Sequence, residues 1–146
     1  MSNPLSFDTR VQIIAALVEG NSIRSTARLV DVHRDTVMHL GSSIGIGCIG
    51  LHDKHVNNVR AEVIECDEIW AFVGAHERCK REDAPDYFGD YYTFFAIDVD
   101  SKLVPSYRTG KREIFNASLF MHDLRKRVIG KPQISVDGWP LWSEAV

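Results

Sequence analysis

No run of apolar residues in this 146-residue sequence approaches the roughly 20 needed to span a bilayer. The opening Met-Ser-Asn-Pro-Leu-Ser-Phe-Asp has neither the basic nor the apolar region of a signal peptide, so the expected compartment is the cytoplasm, with no membrane partner. Cysteine is scarce. Cys48, Cys66 and Cys79 are widely spaced and odd in number, which argues against a disulfide framework. A zinc site from Cys48, His52 and His55 lacks a fourth ligand and the paired spacing of zinc modules. There is also no excess of positive charge. The net charge is -3, which excludes a uniformly basic nucleic-acid binder. The deficit is uneven, because residues 1–60 carry six basic and five acidic side chains and the remainder eleven and fifteen. An acidic second half suits phosphate binding only if some carboxylates hold metal ions.

What is present reads as two parts. From Asp8, Val11, Ile14, Ala15 and Val18 recur at helical spacing, and Gly20 stops the run. Asn21-Ser22 caps a second helix with Ile23, Ala27 and Val30 on one face. Asp31-Val32-His33 breaks the chain before a third helix, Arg34 to Leu40, which Gly41 is expected to end. The glycine-rich stretch to residue 61 reads as linker plus a poor helix. From Glu62 the period becomes that of strands: Val63 to Val73, then a charged loop over 76–90, then Tyr91 to Ile97. A turn at 98–102 leads to a third strand, Leu103 to Arg108. An amphipathic helix follows, with Ile114, Ala117, Phe120, Met121, Leu124 and Val128 on one face, closed by Gly130. Gln133 to Asp137 makes a fourth strand. The expected domains are 1–41, a linker 42–61, and 62–146; the expected fold is a three-helix unit followed by an α+β (or α/β) unit of order β-β-β-α-β.

Residues 23–40 have the layout of a helix-turn-helix. The small Ala27 sits where two helices cross closely, and Asp31 takes the turn position usually given to glycine. Such a pair presents its second helix to a major groove of double-stranded DNA. His33, Arg34, Thr36 and His39 would face base edges and phosphates, with Arg24 and Arg28 on backbone phosphates. A plain three-helix bundle with a polar face is the competing reading.

In the second part Asp67 lies within the first strand and Asp137 ends the fourth. A strand–hairpin–helix–strand unit leaves enough chain for the fourth strand to lie parallel to the first and beside it. Both carboxylates then come close and repel unless a cation sits between them. Mg²⁺ or Mn²⁺ suits such an all-oxygen site. Metal held there could support in-line phosphoryl displacement on nucleic acid. Strand alternation predicts that Glu68 points away from Asp67, and that Glu65 shares its face. Asp90, Asp98 and Asp100 read as loop and turn residues. Arg125-Lys126-Arg127, with Lys111 and Arg112, read as a solvated helix end, with contact to phosphates as the alternative.

Four segments occur in order with the helix-turn-helix: Glu65-Cys66-Asp67-Glu68-Ile69-Trp70, Gly89 to Asp98, Lys102-Leu103-Val104-Pro105-Ser106, and Ser135-Val136-Asp137-Gly138-Trp139. Together they resemble the transposases of the first-numbered insertion-sequence family. The resemblance covers the chain from about Asp8 onward. It implies a ribonuclease-H-like catalytic domain with an Asp-Asp-Glu triad and a divalent metal, Mg²⁺ or Mn²⁺. Asp67 matches the first acid and Asp137 the second, as catalytic residues and metal ligands. It further implies binding of terminal inverted-repeat DNA, followed by strand cleavage and transfer in transposition. Only nine residues follow Asp137, and Glu144 is too near to be the third acid. The expectation is therefore a C-terminally truncated, catalytically incomplete chain with an uncovered sheet edge, which leaves self-association open. The alternatives are a non-catalytic DNA-binding protein or inhibitor of transposition, and an unrelated regulator with a ligand-binding second domain.

Overall fold

The computed structural model describes residues 5–140 and 142–145, and they form two compact units that divide between His55 and Val56. The first holds three helices: α1 (Phe7–Val18), α2 (Ile23–Leu29) and α3 (Arg34–His55). Ser6 caps α1 by accepting the Thr9 amide at 3.1 Å, and Ser22 caps α2 by accepting the Ser25 amide at 3.1 Å. Each side chain satisfies an amide that the first helical turn leaves without an intrahelical partner. Ile13, Ala27 and Val37 form the core of this unit, with Leu5, Leu17, Val30, Val32 and Leu40 around them. The buried face of α1 therefore differs from the expected one. Ile13 and Leu17 turn inward, whereas Val11 and Val18 are exposed. Ile23 of α2 is exposed as well. Apolar residues lie on most sides of these short helices, so period alone did not select the face.

A larger departure follows Leu40. Gly41 does not end α3, and the expected linker is helical as far as His55. Helices are stopped by a residue in the left-handed conformation or by proline, and α3 contains neither. Interior glycines only weaken a helix, by about 1 kcal/mol each relative to alanine.

The second unit is a four-stranded sheet of order β4-β3-β2-β6, built from β2 (Val63–Val73), β3 (Gly89–Asp98), β4 (Tyr107–Gly110) and β6 (Gln133–Val136). The strands β1 (Val59–Arg60) and β5 (Val128–Ile129) form a separate two-stranded parallel pair. β2 runs antiparallel to β3 and parallel to β6. The helix α4 (Ile114–Arg127) connects β4 to β5, and the short α5 (Trp142–Ala145) follows β6. Strand β4 begins later than the expected Leu103. Pro105 has no N–H to give the ladder, and bonds such as Asp98 N–H to Leu103 and Ala96 N–H to Ser106 join that stretch to β3 without a regular strand. The apolar run of α4 also stops short of its expected end, because Val128 belongs to β5.

One face of the sheet packs against α4. Ile64, Cys66, Phe94, Ala96, Ala117, Phe120, Met121, Leu124, Val128 and Trp142 make the core there. Burial of a large apolar side chain stabilises by about 1.5–3 kcal/mol, so Phe94 and Phe120, both fully buried, are principal anchors of this layer. Asp98 closes the turn after β3 by accepting the amides of Asp100 and Ser101, at 3.5 and 3.2 Å. Among the described residues no helix is long and apolar enough to cross a membrane.

A β-carbon added at Gly47 of α3 meets nothing within 4 Å. Gly47→Ala is therefore expected to stabilise the first unit by up to about 1 kcal/mol, read as a rise in the midpoint of thermal unfolding followed by helical circular dichroism.

Candidate metal centre and DNA-facing surface

The parallel register aligns Cys66 with Val136, so the next residues along the two strands are Asp67 and Asp137. Both line a cleft of about 320 Å³ together with Glu65, Phe95, Ile97 and Ser135. Strand alternation gives Asp67 an exposed position, whereas Glu68 follows Ile64 and Cys66 in the alternating set that includes the core. The Glu68 side chain is only 5% exposed. Yet one oxygen of each of Asp67, Glu68 and Asp137 lies within 4.8 Å of the others. The expectation that Glu68 stays away from Asp67 is thus corrected. Alternation separates the β-carbons, but a carboxylate can turn along the strand, and that of Asp67 does so to accept the Glu68 amide at 2.7 Å.

Each acid is held by its own neighbours. One oxygen of Asp137 accepts the Trp139 amide at 3.0 Å and the indole N–H of the buried Trp142 at 2.8 Å. Arg112 donates to Oε1 of Glu68 and lies 3.7 Å from the other oxygen of Asp137. Its guanidinium sits 4.6 Å from the centroid of the Trp139 ring and 5.5 Å from that of Tyr92, an arrangement that favours a cation. Arg112 was expected to be a solvated residue; instead it is the counter-ion of the acidic cluster. Arg127 is likewise engaged, with Asp123 at 2.7 Å and the Val56 carbonyl at 3.2 Å. Nothing in the sequence pointed to the Arg112 pairing, since 44 residues separate it from Glu68.

Burial pushes the Glu68 carboxyl above the usual glutamate range. Arg112 pulls it back through hydrogen bonding and charge, while Asp137 and Asp67 add smaller upward shifts. Oε2 of Glu68 is buried and has no hydrogen-bond partner. Three clustered carboxylates, one of them with an orphaned oxygen, fit a hard divalent cation.

The six residues expected to face DNA sit on or beside α2 and α3. Arg24, Arg28, His33, Arg34 and His39 are exposed, whereas Thr36 is half-buried. His33 precedes α3 and its carbonyl accepts the amides of Thr36 and Val37. The Asp35 carboxylate lies 3.3 Å from Arg34 Nε and 3.5 Å from His33 Nδ1, which puts an acid beside both side chains. Asp31, between α2 and α3, has a φ of 53°, the left-handed conformation for which glycine is usually selected and aspartate is tolerated.

No protein-family model matches the chain, and no curated protein matches it. Among solved structures, the crystal structure of the Mos1 strand transfer complex aligns over 98% of this chain at 13% identity and a TM-score of 0.37. The chain spans 55% of that protein's length. At that score the likeness does not establish a shared fold.

Burial raises the Cys66 thiol to about 12, whereas Cys48 and Cys79 are exposed. In the folded chain a thiol reagent at pH 8 is expected to titrate two cysteines quickly and the third only on unfolding. Because the folded-state value is the higher one, Cys66 favours the folded state fully below pH 9 and loses that contribution as the pH rises toward 12.

Proposed function

We propose that this chain is a transposase-like protein in which residues 1–55 read duplex DNA and residues 56–146 hold a divalent cation of the kind that, with a complete Asp-Asp-Glu set, carries out strand cleavage and transfer. The observation that carries the reading is the parallel pairing of β2 with β6, which sets Asp67 and Asp137 side by side on one cleft. Two carboxylates side by side, one within β2 and the other just past the end of the parallel β6, after a hairpin and a helix, suit a ribonuclease-H-like catalytic unit. The first unit's features support a helix-turn-helix: Ala27 is buried between helices, and Asp31 makes the left-handed turn before α3.

In this reading Asp67 and Asp137 ligate Mg²⁺ or Mn²⁺. When bound, the ion supplies Lewis-acid stabilisation of charge on a phosphate and lowers the pKa of a bound water or hydroxyl. The chain's own contribution is placement. Trp139 and Trp142 orient the Asp137 carboxylate, and the Glu68 amide orients that of Asp67. Arg24 and Arg28 contact phosphates, while His33, Arg34, Thr36 and His39 approach base edges. The DNA is the terminal inverted repeat of the element that encodes the protein.

The Arg112 contact favours a second reading, because a guanidinium can neutralise clustered acids without metal. The protein would then be a DNA-binding protein that performs no cleavage. Metal binding separates the two. Calorimetric titration with Mn²⁺ is expected to show binding to the wild-type chain that Asp67→Asn and Asp137→Asn each weaken at least about tenfold. A folded chain that takes up no Mn²⁺ would leave the second reading.

The DNA half is tested by selecting duplexes from a random library and measuring affinity across salt concentrations. Arg24→Ala and Arg28→Ala should weaken binding to all sequences, each lowering the salt slope by about 1. Arg34→Ala should cost about 1–3 kcal/mol on the preferred sequence and relax selection there. A library from which no sequence is enriched would sink the reader assignment.

A further inference from the structure

We propose that Glu68 is a third carboxylate ligand of the cation site, presenting Oε2 to the ion while Arg112 holds Oε1. The inference rests on the reading of Asp67 and Asp137 as metal ligands and adds a residue that strand alternation had set aside. Two independent observations meet on Glu68. The first is geometric: one of its oxygens lies within 4.8 Å of an oxygen from each aspartate. The second is an unmet need. Its side chain is 5% exposed, and Oε2 is buried without a hydrogen-bond partner. An unpartnered buried carboxylate oxygen is costly, because water no longer solvates it. A cation shared with Asp67 and Asp137 would meet that need directly.

Arg112 explains how Glu68 is kept in place. Its donors engage Oε1, and the Trp139 and Tyr92 rings fix the guanidinium. Metal-ligating carboxylates are commonly hydrogen-bonded by outer groups in this manner. The charges are also consistent. Three ionised carboxylates and one guanidinium leave a formal charge of −2, which one divalent ion balances. Arg112 is thus a positioning residue for Glu68.

The test is Mn²⁺ affinity by calorimetry in the full chain, with unfolding by urea as the check on folding. Glu68→Gln keeps the shape and the Arg112 hydrogen bond, and is expected to lower affinity about tenfold or more. Glu68→Asp retains the charge on a shorter arm and should fall between Glu68→Gln and wild type. Glu65→Gln removes a cleft-lining acid outside the cluster and should lose clearly less affinity than Glu68→Gln. The proposal is overturned if Glu68→Gln binds Mn²⁺ as tightly as wild type while the Asp67→Asn and Asp137→Asn variants lose it; the two-aspartate site then stands alone. Equal losses from Glu65→Gln and Glu68→Gln would also overturn it, because general negative charge would account for both. Absence of Mn²⁺ binding in the wild-type chain removes the metal site altogether, and Glu68 with it.

Discussion

The parallel pairing of β2 with β6 is the constraint on which the second unit depends. Parallel neighbours cannot be joined by a tight turn, so the chain between them must leave the sheet and return. It does so through the β3–β4 antiparallel strands and α4, and the same excursion supplies the helix that covers one sheet face. Register does the rest. With Cys66 opposite Val136, the residues that follow are both aspartates. A shift of one residue would bring Asp137 beside Cys66 and turn the apolar set of β6 to the wrong face.

The price of gathering acids at this point is repulsion and lost hydration, and the fold offsets both locally. Asp137 accepts two N–H groups, one from a buried tryptophan, and Asp67 accepts one. Arg112 stands between Glu68 and Asp137 with aromatic rings beside it. A charge removed from water is tolerated only when paired and hydrogen-bonded, and the orphaned Oε2 of Glu68 is the one place where this compensation stops short. The first unit has a different economy. Its core is small, and its polar surface carries the basic residues next to α3.

Much of this was legible in the sequence for stated reasons. β2, β3, α4 and β6 are long or strongly patterned, and their order and the adjacency of Asp67 to Asp137 followed from counting chain between them. The Asx-type turn at Asp98 was also readable from its residues. The far half of α3 was not, because four glycines between 41 and 50 resemble a linker while none adopts the conformation that ends a helix. β4 was misplaced by the β-forming residues around Pro105, which pack but do not pair in a regular ladder. β1 and β5 are two residues each, too short for any period. Glu68 was misjudged because alternation describes β-carbons and not carboxylate oxygens. Arg112 was invisible, since a contact across 44 residues has no local signature.

The wide separation of the two paired strands also has a consequence in time. At a synthesis rate of roughly 5–20 residues per second, several seconds pass between the emergence of Asp67 and that of Asp137. During that interval β2 can zip to β3, a nearby partner, but its other edge waits for a strand that has not yet been made. Closing the long intervening loop carries an entropic cost before any of its contacts form. The nascent chain therefore passes through a stage with a half-finished sheet and a single, unopposed aspartate. Its acidic centre exists only once β6 has been made and has paired with β2.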